Sequence, residues 1–226
     1  MALPAVPPAT ELKLDLSGDR AIEWSWVAAN IPEGPGYALD FGPGSSQLST
    51  LAAMKGYDVT AVDMLDQERP FLLPNIRFLK GDLLELPLEK GHFDLIINCS
   101  TVEHTGISGR YGIEREDADA DLKAMQLLLD LMRPNGIQLL TIPVGVDAVW
   151  RPLHRVYGLD RLPRLLSGYR IVHVGTWVKD RYNCWTKCRL EFALKQPTSP
   201  QIYSIGAFIL QRNDHPAPGE EMSLPW

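Results

Sequence analysis

A glycine turn and two acids in this chain stand at the spacing an adenosine site requires. In the run Leu39-Asp40-Phe41-Gly42-Pro43-Gly44-Ser45-Ser46, two glycines follow a short apolar stretch. Glycine lets the backbone turn sharply there and lets N–H groups approach a ligand with no Cβ in the way. Asp63 follows about twenty residues after Gly42, at the end of a second apolar run. An acid at that distance can accept both hydroxyls of a ribose. Asp82, directly after Gly81, can accept a hydrogen bond from the exocyclic amine of an adenine. The segment Asn98-Cys99-Ser100-Thr101-Val102-Glu103-His104 ends a further apolar run and would pass beside the cofactor toward a reacting group. Each feature also has a plain explanation. The glycines suit a tight strand-to-helix turn, and Asp63 suits a helix cap. Ser46 and Gln47 stand where a dinucleotide fingerprint would carry its third glycine.

Two histidines are candidate general bases, since imidazole titrates in the useful range. His104 is the first, and His154 is the second, with Asp147 and Tyr157 placed to orient either one. Arg110, beside Tyr111, and Arg155 could pair with a carboxylate or phosphate on an acceptor. Trp150, Trp177, Tyr182 and Trp185 could add an apolar wall suited to an aromatic acceptor. Cys184 and Cys188 lack a second ligand pair, and no His/Asp/Glu cluster has ligand spacing, so no metal is expected.

The elements that must hold these residues alternate. Helix is predicted over Gly18–Asn30, Gln47–Lys55 and around Leu159–Leu166, and most clearly over Ala118–Met132. There Leu122, Met125, Leu128, Leu129 and Met132 recur at three and four residues, with Pro134-Asn135-Gly136 as the stop. Strands are predicted at Tyr37–Phe41, Asp58–Val62, Ile76–Leu79, Phe93–Asn98 and Ile137–Ile142, then near Arg170–Val178 and Ser204–Gln211. This alternation predicts an α/β, Rossmann-like, doubly wound and mostly parallel seven-stranded sheet with an antiparallel edge strand. Residues 1–17 are read as a flexible tail, 18–211 as one domain whose stretch 18–36 is a lid helix, and 212–226 as a second tail.

In order along the chain, these pieces resemble the class I S-adenosylmethionine-dependent methyltransferase superfamily. The resemblance runs roughly from Glu23 to Gln211. It is carried by Leu39–Gly44, Val62-Asp63, Gly81-Asp82-Leu83, Phe93–Asn98, Val102-Glu103-His104 and the turn Met132–Gly136. It implies S-adenosyl-L-methionine as cofactor and S-adenosyl-L-homocysteine as product. Asp40, Gly42 and Gly44 would surround the methionine part, Asp63 with Met64 the ribose, and Asp82 with Leu83 the adenine. Asn98 and Cys99 would line the pocket, and Glu23, Trp24 and Trp26 would belong to the lid. Two longer stretches, Ser100–Gly106 with Gly109–Gly112 and Pro143-Val144-Gly145 with His154–Tyr157, resemble a small methyltransferase-like family of uncharacterised function, which supplies no substrate.

The expected activity is therefore methyl transfer to oxygen or nitrogen of a small-molecule acceptor: a metabolite, a sugar or a natural-product intermediate. A net charge of -6 argues against a general nucleic-acid partner. No apolar run is long enough to span a bilayer, and the odd count of three cysteines gives no closed disulfide framework, so a cytoplasmic protein is expected. The oligomeric state stays open, a homodimer included. The rival readings are an NAD-dependent oxidoreductase, an aminopropyl transferase on the same cofactor, and a non-catalytic partner protein of the same fold.

Overall fold

The structure, a computed structural model, describes residues 18–66 and 73–213. Both tails read from the sequence lie outside the described residues, save that the last strand runs on to Arg212.

Among the described residues ten strands and five helices form, with the helices predicted from the apolar pattern set between strands of one main sheet. The central strands β1 (Gly36–Phe41) and β4 (Phe93–Cys99) are buried along most of their length, the signature of a parallel strand covered on both faces. Strands β2 (Tyr57–Asp63) and β3 (Ile76–Lys80) extend the parallel sheet on one side of β1. On the other side β4 pairs in parallel with β5 (Met132–Val144). Beyond it lie β10 (Ser204–Arg212), antiparallel to β5, then β8 (Tyr169–Lys179) and β9 (Trp185–Cys188). The order β3-β2-β1-β4-β5-β10-β8-β9 makes eight strands, not the seven expected. The added edge strand β9 carries only four residues, half of them exposed, too little pattern to read as a strand.

Helix α1 (Asp19–Asn30) and α2 (Leu48–Met54) cover one face. Val27, Ile31, Leu48, Ala52, Val59, Leu95, Ile97 and Leu139 form its core. Helix α3 (Ala120–Leu131) covers the other, burying Ala124, Met125, Leu128 and Leu131 against Leu39, Ile96, Leu140 and Phe208. Pro134-Asn135-Gly136 does not stop the chain in a loop. These residues lie inside β5, where the register to β4 slips between Phe93 and Leu95 and Asn135 takes φ +66°.

Two features escaped the pattern. A hairpin of β6 (Ala148–Trp150) and β7 (His154–Val156) stands off the main sheet. A single turn of helix, α5 (Leu190–Ala193), lies between β9 and β10, after α4 (Arg161–Leu165) has led into β8.

Candidate functional site

A cleft of about 900 Å³ opens beyond the carboxyl ends of β1, β2, β3 and β4, the position where open α/β sheets take ligands. Its size is that of an ordinary small-molecule site.

The glycine turn after β1 forms the floor. Gly42 takes φ +64°, and a Cβ on it would meet Thr101 Cγ2 at 2.2 Å, so only glycine lets this turn pack under the segment after β4. Gly44 takes φ +51° and has nothing within 4 Å of where a Cβ would stand; the space above it is the cleft. Asp63 ties the turn in place. Its carboxylate accepts the Gly44 N–H at 3.0 Å and the Leu65 N–H at 3.0 Å. Met64, Gly81, Asp82 and Leu83 continue the wall, with Asp82 accepting the Leu84 N–H at 2.9 Å. Two acids at the ends of neighbouring strands, above an open glycine, suit the ribose and amine of an adenosine.

The far end is a chamber lined by Arg20, Trp24, Cys99, Thr101, His104 and Tyr111. A short 3-10 helix, Val102–His104, presents His104. Its Nδ1 lies 2.6 Å from the Leu153 carbonyl oxygen, which can only accept, so Nδ1 carries the proton and Nε2 keeps its lone pair. Burial pushes the His104 imidazole down to about 4, so it stays neutral at physiological pH. Burial also raises the Cys99 thiol, which stays protonated.

Beneath the chamber lies a layer of buried acids. Glu23 on α1 pairs with Arg20 at 2.7 Å and accepts from Thr141 at 3.1 Å. Glu103 accepts the Ser100 hydroxyl at 2.6 Å through one oxygen, while the other has no hydrogen-bond partner among the described residues. Desolvation lifts each carboxyl to about 7. For Glu103 the folded chain therefore holds the proton more tightly than the unfolded chain. The stability this provides is whole below pH 4.5 and is lost as pH rises through 7. Glu103→Gln is expected to remove that loss: in urea titrations the variant gains on the native chain between pH 5 and pH 8. An equal difference at both pH values would count against it.

The structure brings Gly42, Gly44, Asp63, Met64, Asp82, Leu83, Cys99, His104 and Tyr111 to one cleft. Seven other candidates are turned away and an eighth lies outside on the surface. Asp40 is buried and accepts the Ser49 hydroxyl at 2.5 Å, holding α2 to β1. Asn98 points to the opposite face of β4, toward Met125 Sδ at 3.6 Å. Asp147 accepts the N–H groups of Gly158, Asp160 and Arg161, which fixes the turn into α4. Arg155 is buried and donates to the carbonyls of Thr105, Asp117 and Ala118. Tyr157 is buried, its hydroxyl on Asp121 at 3.1 Å. Trp150 has a buried indole N–H with no partner among the described residues and does not line the cleft. His154 is buried behind His104, ring centroids 6.4 Å apart, and burial lowers it to about 4 as well. Arg110 is exposed and lies over the Tyr111 ring at 4.5 Å. Of the lid tryptophans, Trp24 lines the cleft, while Trp26 stacks beside His173. Sequence reasoning missed Arg20, Ile113 and Arg115 on the wall, while Thr101 lies there with the segment read as passing beside the cofactor.

Comparison with known proteins fits this geometry. A family described as a Caenorhabditis protein of unknown function, DUF268, matches residues 87–192, from before β4 to α5. Over 84 residues the chain is 30% identical to the protein named "Putative methyltransferase YqeM" of Bacillus subtilis (strain 168); that stretch is 34% of each, so the chain matches about a third of this curated relative's length. The fold superposes on the Burkholderia thailandensis 1,6-didemethyltoxoflavin-N1-methyltransferase, solved with 1,6-didemethyltoxoflavin and S-adenosylhomocysteine. The TM-score is 0.55 at 17% identity, covering 86% of this chain and 80% of that one. It also superposes on the [4+2]-cyclase SpnF, with a TM-score of 0.59 at 17% identity, covering 84% and 80%. The fold is thus that of the Rossmann-like S-adenosylmethionine-dependent methyltransferases.

Proposed function

We propose that this chain binds S-adenosyl-L-methionine and transfers its methyl group to an oxygen or nitrogen of a small-molecule acceptor. One observation carries the reading. The open Gly44 turn, flanked by Asp63 and Asp82, runs without a break into a chamber holding a neutral histidine. The relatives support the cofactor, but a shared fold does not name a reaction, as the cyclase illustrates.

In this reading Asp63 accepts the ribose hydroxyls, and Asp82 with Leu83 holds the adenine. Gly42 and Gly44 bound the methionine part, whose carboxylate would meet Arg20. Residues 18–211 act as one catalytic domain, with α1 as the lid through Arg20 and Trp24. The bound cofactor supplies an electrophilic methyl on a sulfonium. The chain's part is to hold the acceptor in line in a dry chamber and to take its proton on His104 Nε2 as the acceptor lone pair replaces sulfur on the methyl carbon. All three cysteines are unpaired, which suits a reducing cytoplasm.

The test is calorimetry with S-adenosylmethionine, S-adenosylhomocysteine and NAD on the native chain and Asp63→Ala. Micromolar binding of both adenosyl ligands and none of NAD is expected. The substitution should weaken binding by about ten- to a hundredfold, the worth of one or two charge-assisted hydrogen bonds. Binding of NAD alone would favour an oxidoreductase, and adenosyl binding indifferent to Asp63 would refute the site. Incubation with methyl-labelled cofactor and pooled metabolites then asks for a labelled product. Cofactor binding with no labelled product would favour a cyclase-like or partner role.

A further inference from the structure

Resting on the methyl-transfer reading, we propose that the acceptor is an anionic small molecule with a flat apolar body, its carboxylate or phosphate held by Arg115. Charge along the cleft is sorted. The acids Asp63, Asp82 and Glu85 lie at the adenosine end. At the other end Glu116 is taken by Arg151, and Asp117 by Lys123 at 2.5 Å. Of the cations on the wall, Arg20 is bonded to Glu23 and Lys123 to Asp117. Arg115 has no ion pair or hydrogen bond to any described residue. Its planar guanidinium suits a bidentate carboxylate or phosphate better than a point charge would.

Arg115 sits in a frame. Tyr111, Ile113 and Arg115 all face the cleft, so alternate residues of one segment supply an aromatic ring, an aliphatic side chain and a cation. The Tyr111 ring lies 5.1 Å from the His104 ring. The chain turns at Tyr111 and Gly112, at φ +56° and +77°, so Tyr111 and Arg115 lie closer than the roughly 14 Å that four extended residues would span, within the length of a small molecule. An acceptor with its nucleophile at His104 and its body along Tyr111 and Ile113 therefore brings its far end to Arg115.

The segment is also held before any ligand arrives. Arg155 donates to carbonyls on both stems, at Thr105, Asp117 and Ala118. The Asp117 N–H bonds the Gly106 carbonyl at 2.9 Å. Gly106 takes φ +73°, and a Cβ there would meet the Asp117 carbonyl oxygen at 2.4 Å, so the two stems are in contact. The Gly109 N–H bonds the Ile113 carbonyl at 3.0 Å, and Arg151 pins Glu116. The backbone, ordered in advance, gives up little entropy when the exposed Arg115 side chain takes a ligand.

The test uses 4-hydroxybenzoate and phenyl phosphate as anionic probes, against 4-hydroxybenzamide and phenol as their neutral counterparts. Affinities are read by ligand-detected NMR on protein saturated with S-adenosylhomocysteine, for the native chain, Arg115→Gln and Arg181→Gln. Arg181 lies outside the cleft and serves as the charge control. The native chain and Arg181→Gln should bind at least one anion tenfold or more tightly than its neutral counterpart, and Arg115→Gln should lose that preference while keeping its melting temperature. Whichever anion shows the preference identifies the group as carboxylate or phosphate. Equal binding of neutral probes, a preference that survives Arg115→Gln, or no binding of either anion at millimolar concentration would overturn the proposal. Failure of S-adenosylhomocysteine to bind is a separate result. It would remove the methyl-transfer reading, while a preference abolished by Arg115→Gln in the free protein would still uphold the anion site.

Discussion

Arg155→Met is expected to destabilise the chain by about 3 kcal/mol, because a buried cation with several acceptors is being removed from one side only. Arg155 is 2% exposed. It donates to Thr105 at 2.5 Å, Asp117 at 3.1 Å and Ala118 at 3.4 Å, and its Nε lies 3.7 Å from Asp121. Methionine fills much of the volume but satisfies none of these carbonyls. Asp121 itself keeps Arg161 at 2.5 Å and the Tyr157 hydroxyl, so it does not become an unpaired buried charge. That places the cost at the lower end of what breaking a buried pair usually costs. For a chain of this size the melting temperature should fall by roughly 6–12 °C. Proteolysis should then begin between Thr105 and Ala118, the segment whose stems Arg155 holds. A melting temperature within 2 °C of the native value would show that these carbonyls find other donors.

The same residue shows why the acceptor side was harder to read than the nucleotide side. The turn after β1, Asp63 and Asp82 announce themselves locally, because each is a residue type placed at the end of an apolar run. Their geometry follows from strand ends alone. Arg155, Tyr157 and Asp147 are equally polar and follow β5, yet each is consumed by a partner distant in sequence: Thr105 and Asp117, Asp121, and the turn into α4. Sequence polarity does not reveal whether tertiary structure has already used a group.

For two residues the sequence held a usable signal. Side chains alternate along a strand. Asn98 and Cys99 could not both face the cleft, and Asn98 turns to Met125 while Cys99 lines it. Tyr111, Ile113 and Arg115 carried no such signal, because they follow a turn, with Tyr111 at φ +56° and the Ile113 N–H on the Arg110 carbonyl, and lie on no strand. The hairpin β6–β7 was illegible for a simpler reason: three residues per strand are too few for a period. In contrast α3 was plain, since its apolar face repeats over three turns.

His104→Gln is expected to lower kcat by about 10²–10⁴-fold, the usual worth of a general base, with S-adenosylhomocysteine affinity unchanged. The acceptor for this measurement is the one the labelled-product screen returns. Glutamine can still reach the Leu153 carbonyl with its amide N–H, so the loop after β4 stays in place. What it cannot do is accept a proton from the acceptor. The pH dependence gives an independent check. An ordinary histidine would lose its base form below about pH 6.5. Burial holds His104 down to about 4, so the native rate should not fall with an inflection near 6.5 on the acid side. If His104 only caps its loop, the substitution would change melting temperature and leave kcat within a few-fold. A full loss of rate together with weakened S-adenosylhomocysteine binding would instead mean that the chamber collapses, and the role of base would pass to another group. His154 is the next imidazole, but it lies behind His104 and off the cleft wall. His154→Gln should therefore leave the chemical step far less affected than His104→Gln does.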